Sequence, residues 1–251
     1  MMAKFYYDLH MHSCLSPCAD DDMTPAAAAG MAALNGLSIA ALTDHNSCGN
    51  LPAFFAACRA YGVVPIAGME LETAEAVHVV CLFPELSDAM AFWQVVRENY
   101  MMPFKNDAAV FGGQFYMNEE DEVIGTEEIL LITSTMLSLD EGVRLVREHG
   151  GFAFPAHIDR PSNGIMEILG DIPPEPGFTF AEFNDSENVA AYREKYASVA
   201  PLGILVNSDA HRLTDVNEAE NCVELDADPS DETAVRDAFF AFLRKNDAAK
   251  I

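Results

Sequence analysis

The sequence predicts an α/β fold built on a parallel sheet, and three observations carry that expectation. Eight short apolar, β-branched runs alternate with six segments of helical pattern. Half of the 251 residues are hydrophobic and 22% are charged, enough to bury a sizeable core. Helix caps stand where the alternation needs them.

The first strand candidate spans residues 5–12. Thr24-Pro25 then pairs an N-cap residue with a proline at the first helical position and opens a helix over 25–35. Strands at 38–43 and 64–69 flank a helix at 50–61, and a strand at 77–83 precedes a helix at 88–100. Residues 101–137 break the rhythm with Gly112-Gly113 and the acidic run Glu119-Glu120-Asp121-Glu122. They read as an insertion: a solvated loop, a hairpin over the sheet edge, or a cap that shapes a pocket. Ser138 and Glu141 form a capping box that starts a helix over 139–149, and His149-Gly150-Gly151 ends it. Strands at 152–156, 179–184, 203–207 and 222–225 complete the pattern, with helices at 187–198 and 230–245 and a proline-rich tight loop at 172–177. No repeat or shift of composition divides the chain, so residues 1–251 are expected to form one domain.

Fourteen Lys and Arg against 40 Asp and Glu give a net charge of −26. Such a surface repels polyanions, which argues against binding long nucleic acid or an anionic membrane. A small anionic substrate held by local cations stays compatible with it. No apolar run approaches the roughly 20 residues of a membrane span. Residues 1–8 carry no apolar signal region, so a cytoplasmic location is expected. No obligate protein partner is evident. Six cysteines are too few for a disulfide scaffold. Cys58 and Cys81 read as core residues. Cys14 and Cys18, spaced C-x3-C, could open a zinc site, but reduced thiols are the simpler reading.

Where the seven histidines fall carries the functional argument. His10, His12, His45, His157 and His211 lie at or just beyond the C-terminal end of a strand candidate, where α/β proteins build their sites. His78 lies early in its own run, and His149 ends a helix and is given no catalytic role. Strand alternation places Asp8, His10 and His12 on one face, with Phe5, Tyr7, Leu9 and Met11 on the other. Thr43-Asp44-His45-Asn46, Gly68-Met69-Glu70, Ala156-His157-Ile158-Asp159-Arg160 and Ser208-Asp209-Ala210-His211 end four further strands. Imidazole and carboxylate at five strand ends would cost many kcal/mol to bury unless paired or metal-bound. The donor types suit Mn, Fe or Zn, and their number suits two or three divalent ions. Closely spaced ions with a bridging carboxylate serve in-line hydrolysis of phosphate esters.

These residues together resemble the polymerase and histidinol phosphatase (PHP) superfamily, in order and spacing from Asp8 to His211. The resemblance implies a distorted seven-stranded β/α barrel whose mouth holds up to three ions and hydrolyses phosphoesters. One ion would take His10, His12, Glu70 and Asp209. A second would share Glu70 and take His78 and His157. A third would take His45, His211 and a residue of the loop after the first strand. In this chain that loop is longer than in many relatives and offers Asp20, Asp21 and Asp22; Asp20 is the first choice and Asp21 its rival. Glu72 rivals Glu70, since both face the same way on a strand, but the Gly68 spacing favours Glu70. The nucleophile would be a metal-bridging hydroxide held by Glu70. Arg160, three residues after His157, is a planar fork suited to phosphate or, more simply, a surface ion-pair partner. Asp8 and Asp44 could orient ligand imidazoles or simply form turns.

The leading expectation is a stand-alone metal-dependent phosphoesterase acting on a small phosphate monoester or nucleotide. The alternatives are a 5′-to-3′ nuclease or nucleoside 3′,5′-bisphosphate phosphatase on short nucleic acid, and a non-catalytic metal-binding domain. Histidinol phosphate is a less favoured substrate, because nothing identifies an amine-binding acid among so many.

Overall fold

The computed structural model describes residues 2–245. The first half runs β1 (Met2–Asp8), α1 (Pro25–Leu34), β2 (Ile39–Leu42), α2 (Leu51–Tyr61), β3 (Val64–Glu72), β4 (His78–Phe83) and α3 (Leu86–Asn99). The inserted segment holds α4 (Ala108–Phe111), β5 (Phe115–Met117) and β6 (Val123–Thr126). The remainder runs α5 (Leu139–Glu148), β7 (Phe152–Pro155), α6 (Ile165–Leu169), β8 (Phe180–Phe183), α7 (Asn188–Lys195), β9 (Gly203–Val206), β10 (Cys222–Asp226) and α8 (Glu232–Lys245). The caps act as the sequence indicates. Thr24 accepts from the Ala27 amide, and Ser138 and Glu141 close a reciprocal capping box.

Six strands form a curled half-barrel in the order β10-β1-β2-β3-β4-β7. Its pairing is mixed, which corrects the expectation of a parallel sheet. Only β1–β2 and β2–β3 are parallel, whereas β1–β10, β3–β4 and β4–β7 are antiparallel. The reason is connection length. Residues 73–77 join β3 to β4 by a tight turn, closed by the Thr73 amide on the Val77 carbonyl at 2.9 Å, too short for the crossover a parallel pair needs. β8 and β9 form a separate parallel pair. One side of that pair meets the end of β7 through the Ile158 amide on the Glu182 carbonyl, and the other meets the end of β1 where Met11 bridges Ala210. The ladders therefore define six strands plus two, not the single seven-stranded barrel that the resemblance implies.

Both faces of the curled sheet are covered, so its central strands read as unbroken apolar runs. The outer side, with Leu42, Met69, Cys81 and Phe83, packs on Ala29 of α1, Phe54 of α2, Phe92 of α3 and Val146 of α5. The inner side gathers Ile39, Ile66, Val80, Leu82 and Phe154, closed at one end by Phe239 and Phe240 of α8. All six cysteines are free, with Cys58 and Cys81 in the core. No helix among the described residues is long and apolar enough to cross a membrane.

The insertion does form a hairpin, β5–β6, but it docks on the loops after β1 and β2. The Phe115 amide reaches the Cys14 carbonyl at 3.0 Å, and Asn50 brackets the strand by donating to the Phe115 carbonyl and accepting from the Met117 amide. Gly49 permits the approach: a Cβ there would lie 2.1 Å from Tyr116 Cε1.

Candidate metal centre

Along β3 the inward side chains are Val64, Ile66, Gly68, Glu70 and Glu72, so one face passes from apolar to acidic within two residues. Gly68 makes the transition sterically possible, since a Cβ there would meet Thr43 Cγ2 at 2.6 Å. β8 and β9 change in the same direction, from Phe180 to Glu182 and from Leu205 to Asn207. β4 runs antiparallel to β3, which brings its first residue, His78, to the rim where the other strands end. That explains a histidine early in its run.

β1 departs from simple alternation. The strand ends at Asp8, and the Leu9 amide donates to Asn207 Oδ1 rather than to a neighbouring strand. Leu9 then joins the inner apolar cluster and Met11 the outer one. His10 and His12 still converge, but through this break and not through an unbroken strand over 5–12.

The rim brings together eight of the nine metal ligands expected from the sequence. Donor atoms of His10, His12, Glu70 and Asp209 lie within 4.8 Å of one another, as do those of His45, Glu70 and His78, and those of His12, His45 and His211. Glu70 is the hub. It is fully buried, with Oε1 2.9 Å from His78 Nδ1 and 3.1 Å from His157 Nε2, and Oε2 2.9 Å from His45 Nδ1. His12 Nε2 lies 3.0 Å from Asp209 Oδ1 and 3.2 Å from His10 Nε2. Glu72, the rival of Glu70, sits at the edge of the group, held by Ser134 Oγ at 2.8 Å and 3.6 Å from His78 Nε2.

A second layer of hydrogen bonds fixes which ring nitrogen faces inward. His10 Nδ1 donates to Glu182 Oε1 at 2.8 Å, which turns Nε2 and its lone pair to the centre. Glu182 is itself fully buried, accepting from the His157 amide and from Asn207 Nδ2. Sequence reasoning missed this residue. The available signal was an acid inside the apolar strand Phe180–Phe183. Asp44 acts one step removed. It accepts from Ser16 Oγ at 2.7 Å, and Ser16 Oγ in turn accepts from His12 Nδ1 at 3.0 Å. Asp8 touches no ring; it accepts from the amides of Ser208 and Asn217 and ties loops together. His149 stays outside the site, with Nδ1 on the Leu145 carbonyl.

Several backbone positions here are strained. Asn46, His157 and Asp209 have positive φ of 47°, 26° and 52°. Non-glycine residues pay about 1–3 kcal/mol for such conformations, which persist where the surroundings fix them.

The electrostatics match a cation-binding cluster. Burial raises the Glu70 carboxyl, but His78, His10 and His45 outweigh it and hold it well below the usual range. Burial likewise opposes charge on His10, yet Glu182, Asp209 and Glu70 lift its imidazole well above normal. Burial and the neighbouring His211 and His45 keep His12 neutral. Three buried atoms, His45 Nδ1, Glu70 Oε2 and His157 Nδ1, have no hydrogen-bond partner among the described residues. The first two face each other at 2.9 Å without hydrogen-bond geometry. Each orphaned group costs about 1–3 kcal/mol. Divalent ions would replace the shared protons and satisfy the inward lone pairs, so the donor set fits a multi-metal site.

A cavity of about 360 Å³ opens onto the cluster, lined by His45, Glu70, His78, His157, Arg160 and Cys18, among others. Ile132 reaches it from the inserted segment. Arg160 pairs through Nη1 with Asp209 Oδ2 while 44% of its side chain remains exposed. Asp20 is the expected ligand that the structure does not bring in. Its side chain is 58% exposed and lies 3.6 Å from Arg212 Nε, and Asp21 and Asp22 are exposed as well. The loop turns them outward, whereas Cys18, itself exposed, lines the cavity beside His45 and His211. Desolvation raises that thiol, but the two imidazoles outweigh it and leave it at about 6.

Comparison with known proteins places this rim in context. The family model described as PHP domain matches residues 8–163. No curated protein matches the chain. Among solved structures, the lesion-specific endonuclease Q from Pyrococcus furiosus is 19% identical, with a TM-score of 0.63. That alignment covers 94% of this chain and 56% of the endonuclease, so the chain spans little more than half its length. A candidate metal-dependent phosphoesterase from Bifidobacterium adolescentis is 17% identical with a TM-score of 0.57, covering 93% of this chain and 95% of that one. An amidohydrolase from Chromobacterium violaceum is 20% identical with a TM-score of 0.57, covering 86% and 91%. At these identities the likeness is one of fold.

Proposed function

The chain belongs to the PHP domain family, a family of metal-dependent hydrolases, and from that premise we propose that it hydrolyses a small phosphate monoester or nucleotide. One observation carries the reading: Glu70, fully buried, is ringed by imidazoles, its Oε2 and His45 Nδ1 face each other with no hydrogen-bond partner, and the ring opens onto a cleft. His10, His12, Glu70 and Asp209 would hold one divalent ion. Glu70, His78 and His157 would hold a second, and His45 and His211 part of a third. The donors suit Mn, Fe or Zn. Such ions supply charge neutralisation at phosphoryl oxygens and acidify water at neutral pH.

The chain's own residues have separable tasks. Glu70 lies between the first two groups and sets their spacing. Glu182 and the Asp44–Ser16 pair hold the rings of His10 and His12 with their lone pairs inward. Arg160, half in solvent at the cavity wall, offers its remaining guanidinium N–H groups to phosphoryl oxygens. Ile132 narrows the cleft on the insertion side, in keeping with a role for residues 101–137 in substrate choice.

The test is phosphate release from aryl phosphate and nucleotide panels with added Mn, Fe or Zn. Turnover that follows metal loading is expected. Folded, metal-loaded protein that releases no phosphate from any panel member would overturn the proposal.

A second reading is a nuclease on short nucleic acid, favoured by the likeness in fold to endonuclease Q, which has been solved with a duplex carrying an abasic lesion at its active site. The charge of −26 weighs against long polyanions and leaves short ones open. Oligonucleotides with and without an abasic site, run beside the monoester panel, separate the two readings.

A further inference from the structure

We propose that Cys18, not an acid of the same loop, completes the site of His45 and His211, giving it a mixed nitrogen and sulfur donor set suited to a borderline-soft divalent ion such as zinc. This rests on the metal-dependent reading above and assigns one ligand within it.

The first argument is placement. The three consecutive acids of the loop are all exposed, and Asp20 is turned to Arg212. Cys18 is exposed too, but it lines the cavity together with His45 and His211. Those rings belong to a third donor group with His12. The ring centroids of His12 lie 4.4 Å from those of His45 and 4.3 Å from those of His211. His211 Nδ1 donates to the Asp209 carbonyl at 2.8 Å, which leaves Nε2 as its free donor.

The second argument is that the loop is built to hold the thiol there. The Cys14 amide on the Met23 carbonyl closes its base at 2.8 Å, and the Ala19 amide on the Ser16 carbonyl forms a turn around Cys18. The Asp20 amide bonds the His211 carbonyl at 2.9 Å, so the backbone after Cys18 is tied to the residue whose ring it faces. From outside, Gly112 of the insertion presses on the preceding residue. With φ of +101°, it lies so close that a Cβ would meet the Pro17 carbonyl oxygen at 2.3 Å. Cys14 is no rival, since it is buried with its thiol toward the Phe115 carbonyl.

The chemistry needs no oxidant. On binding, the thiol S–H bond breaks, its proton leaves to solvent, and a sulfur–metal bond forms. Thiolate favours zinc, cobalt or ferrous iron over manganese at this position, whereas the carboxylate-rich groups around Glu70 lack that preference.

The experiment loads the full chain anaerobically with Co(II) and reads bound metal together with the near-ultraviolet thiolate-to-cobalt band. Wild type is expected to show the band. Cys18→Ser should lose it with about one equivalent of cobalt. Cys18→Asp should regain the equivalent without the band, and Asp20→Asn should keep both. Cobalt bound with no band in wild type overturns this proposal alone, as does Cys18→Ser with band and metal content intact. Wild type that retains no cobalt overturns it together with the metal-dependent reading.

Discussion

The inner face of the half-barrel has two ends built by the same strands. At the end closed by α8, Ile66, Val80, Leu82 and Phe154 pack on Phe239 and Phe240. At the other, Glu70, His78, Glu182 and Asn207 occupy inward positions further along β3, β4, β8 and just beyond β9, all of them buried. The apolar end gains from every atom it removes from water, about 1.5–3 kcal/mol for each large side chain fully buried. The polar end buries carboxylates and imidazoles whose lone pairs point at one another, at a cost that cations would relieve. One end thus stabilises the frame that forces the other into an arrangement unfavourable without a ligand.

The largest expected effect breaks the polar end. Glu70→Ala removes the atom pair shared by two donor groups, and metal-dependent phosphate release should fall about 10⁴-fold, ~5 kcal/mol of transition-state stabilisation. Turnover and metal content measured together check it; near-normal rates would separate Glu70 from the chemistry. Phe239→Ala breaks the apolar end instead. It should lower stability by about 3–5 kcal/mol and Tm by roughly 10 °C, while bound metal per folded molecule stays constant. Thermal and urea unfolding with metal analysis test this independence. If metal is lost in step with stability, the two ends are not separable.

Smaller effects sharpen the comparison. Glu182→Gln keeps size and loses the charge that orients His10, so metal affinity should fall about 10–100-fold in chelator competition. An unchanged affinity would mean that the rest of the cluster fixes the ring by itself. Arg160→Ala should raise KM roughly tenfold, ~1.4 kcal/mol, with metal content unchanged, and Arg160→Lys should restore only part of it. A loss of bound metal would show that the arginine serves Asp209 instead of substrate.

Much of this was legible in the chain because strand positions translate directly into geometry. Apolar runs marked eight of the ten strands, all but β5 and β6 of the insertion, and histidine or carboxylate at their ends marked the rim. What was not legible depended on direction and on partners distant in sequence. Strand–helix alternation does not say that β4 runs against β3; the tight 73–77 turn does, and it makes His78 an end residue. Glu182 looked like one acid among 40 until the fold set it against His10, 172 residues away. The loop from Ser13 to Asp22 offered acids and a thiol alike, and turn hydrogen bonds decided which faced inward.

By itself the sequence determined the α/β alternation, the caps and the inventory of donors, because periodicity, capping chemistry and ligand type are properties of short segments. Tertiary structure alone decided the separate β8–β9 pair, the break of β1 at Asp8, the Glu182 and Ser16–Asp44 contacts that aim the imidazoles, and the outward turn of Asp20 while Cys18 lines the cavity. Those features depend on which remote backbone groups find each other, and no pattern within a single segment encodes that choice.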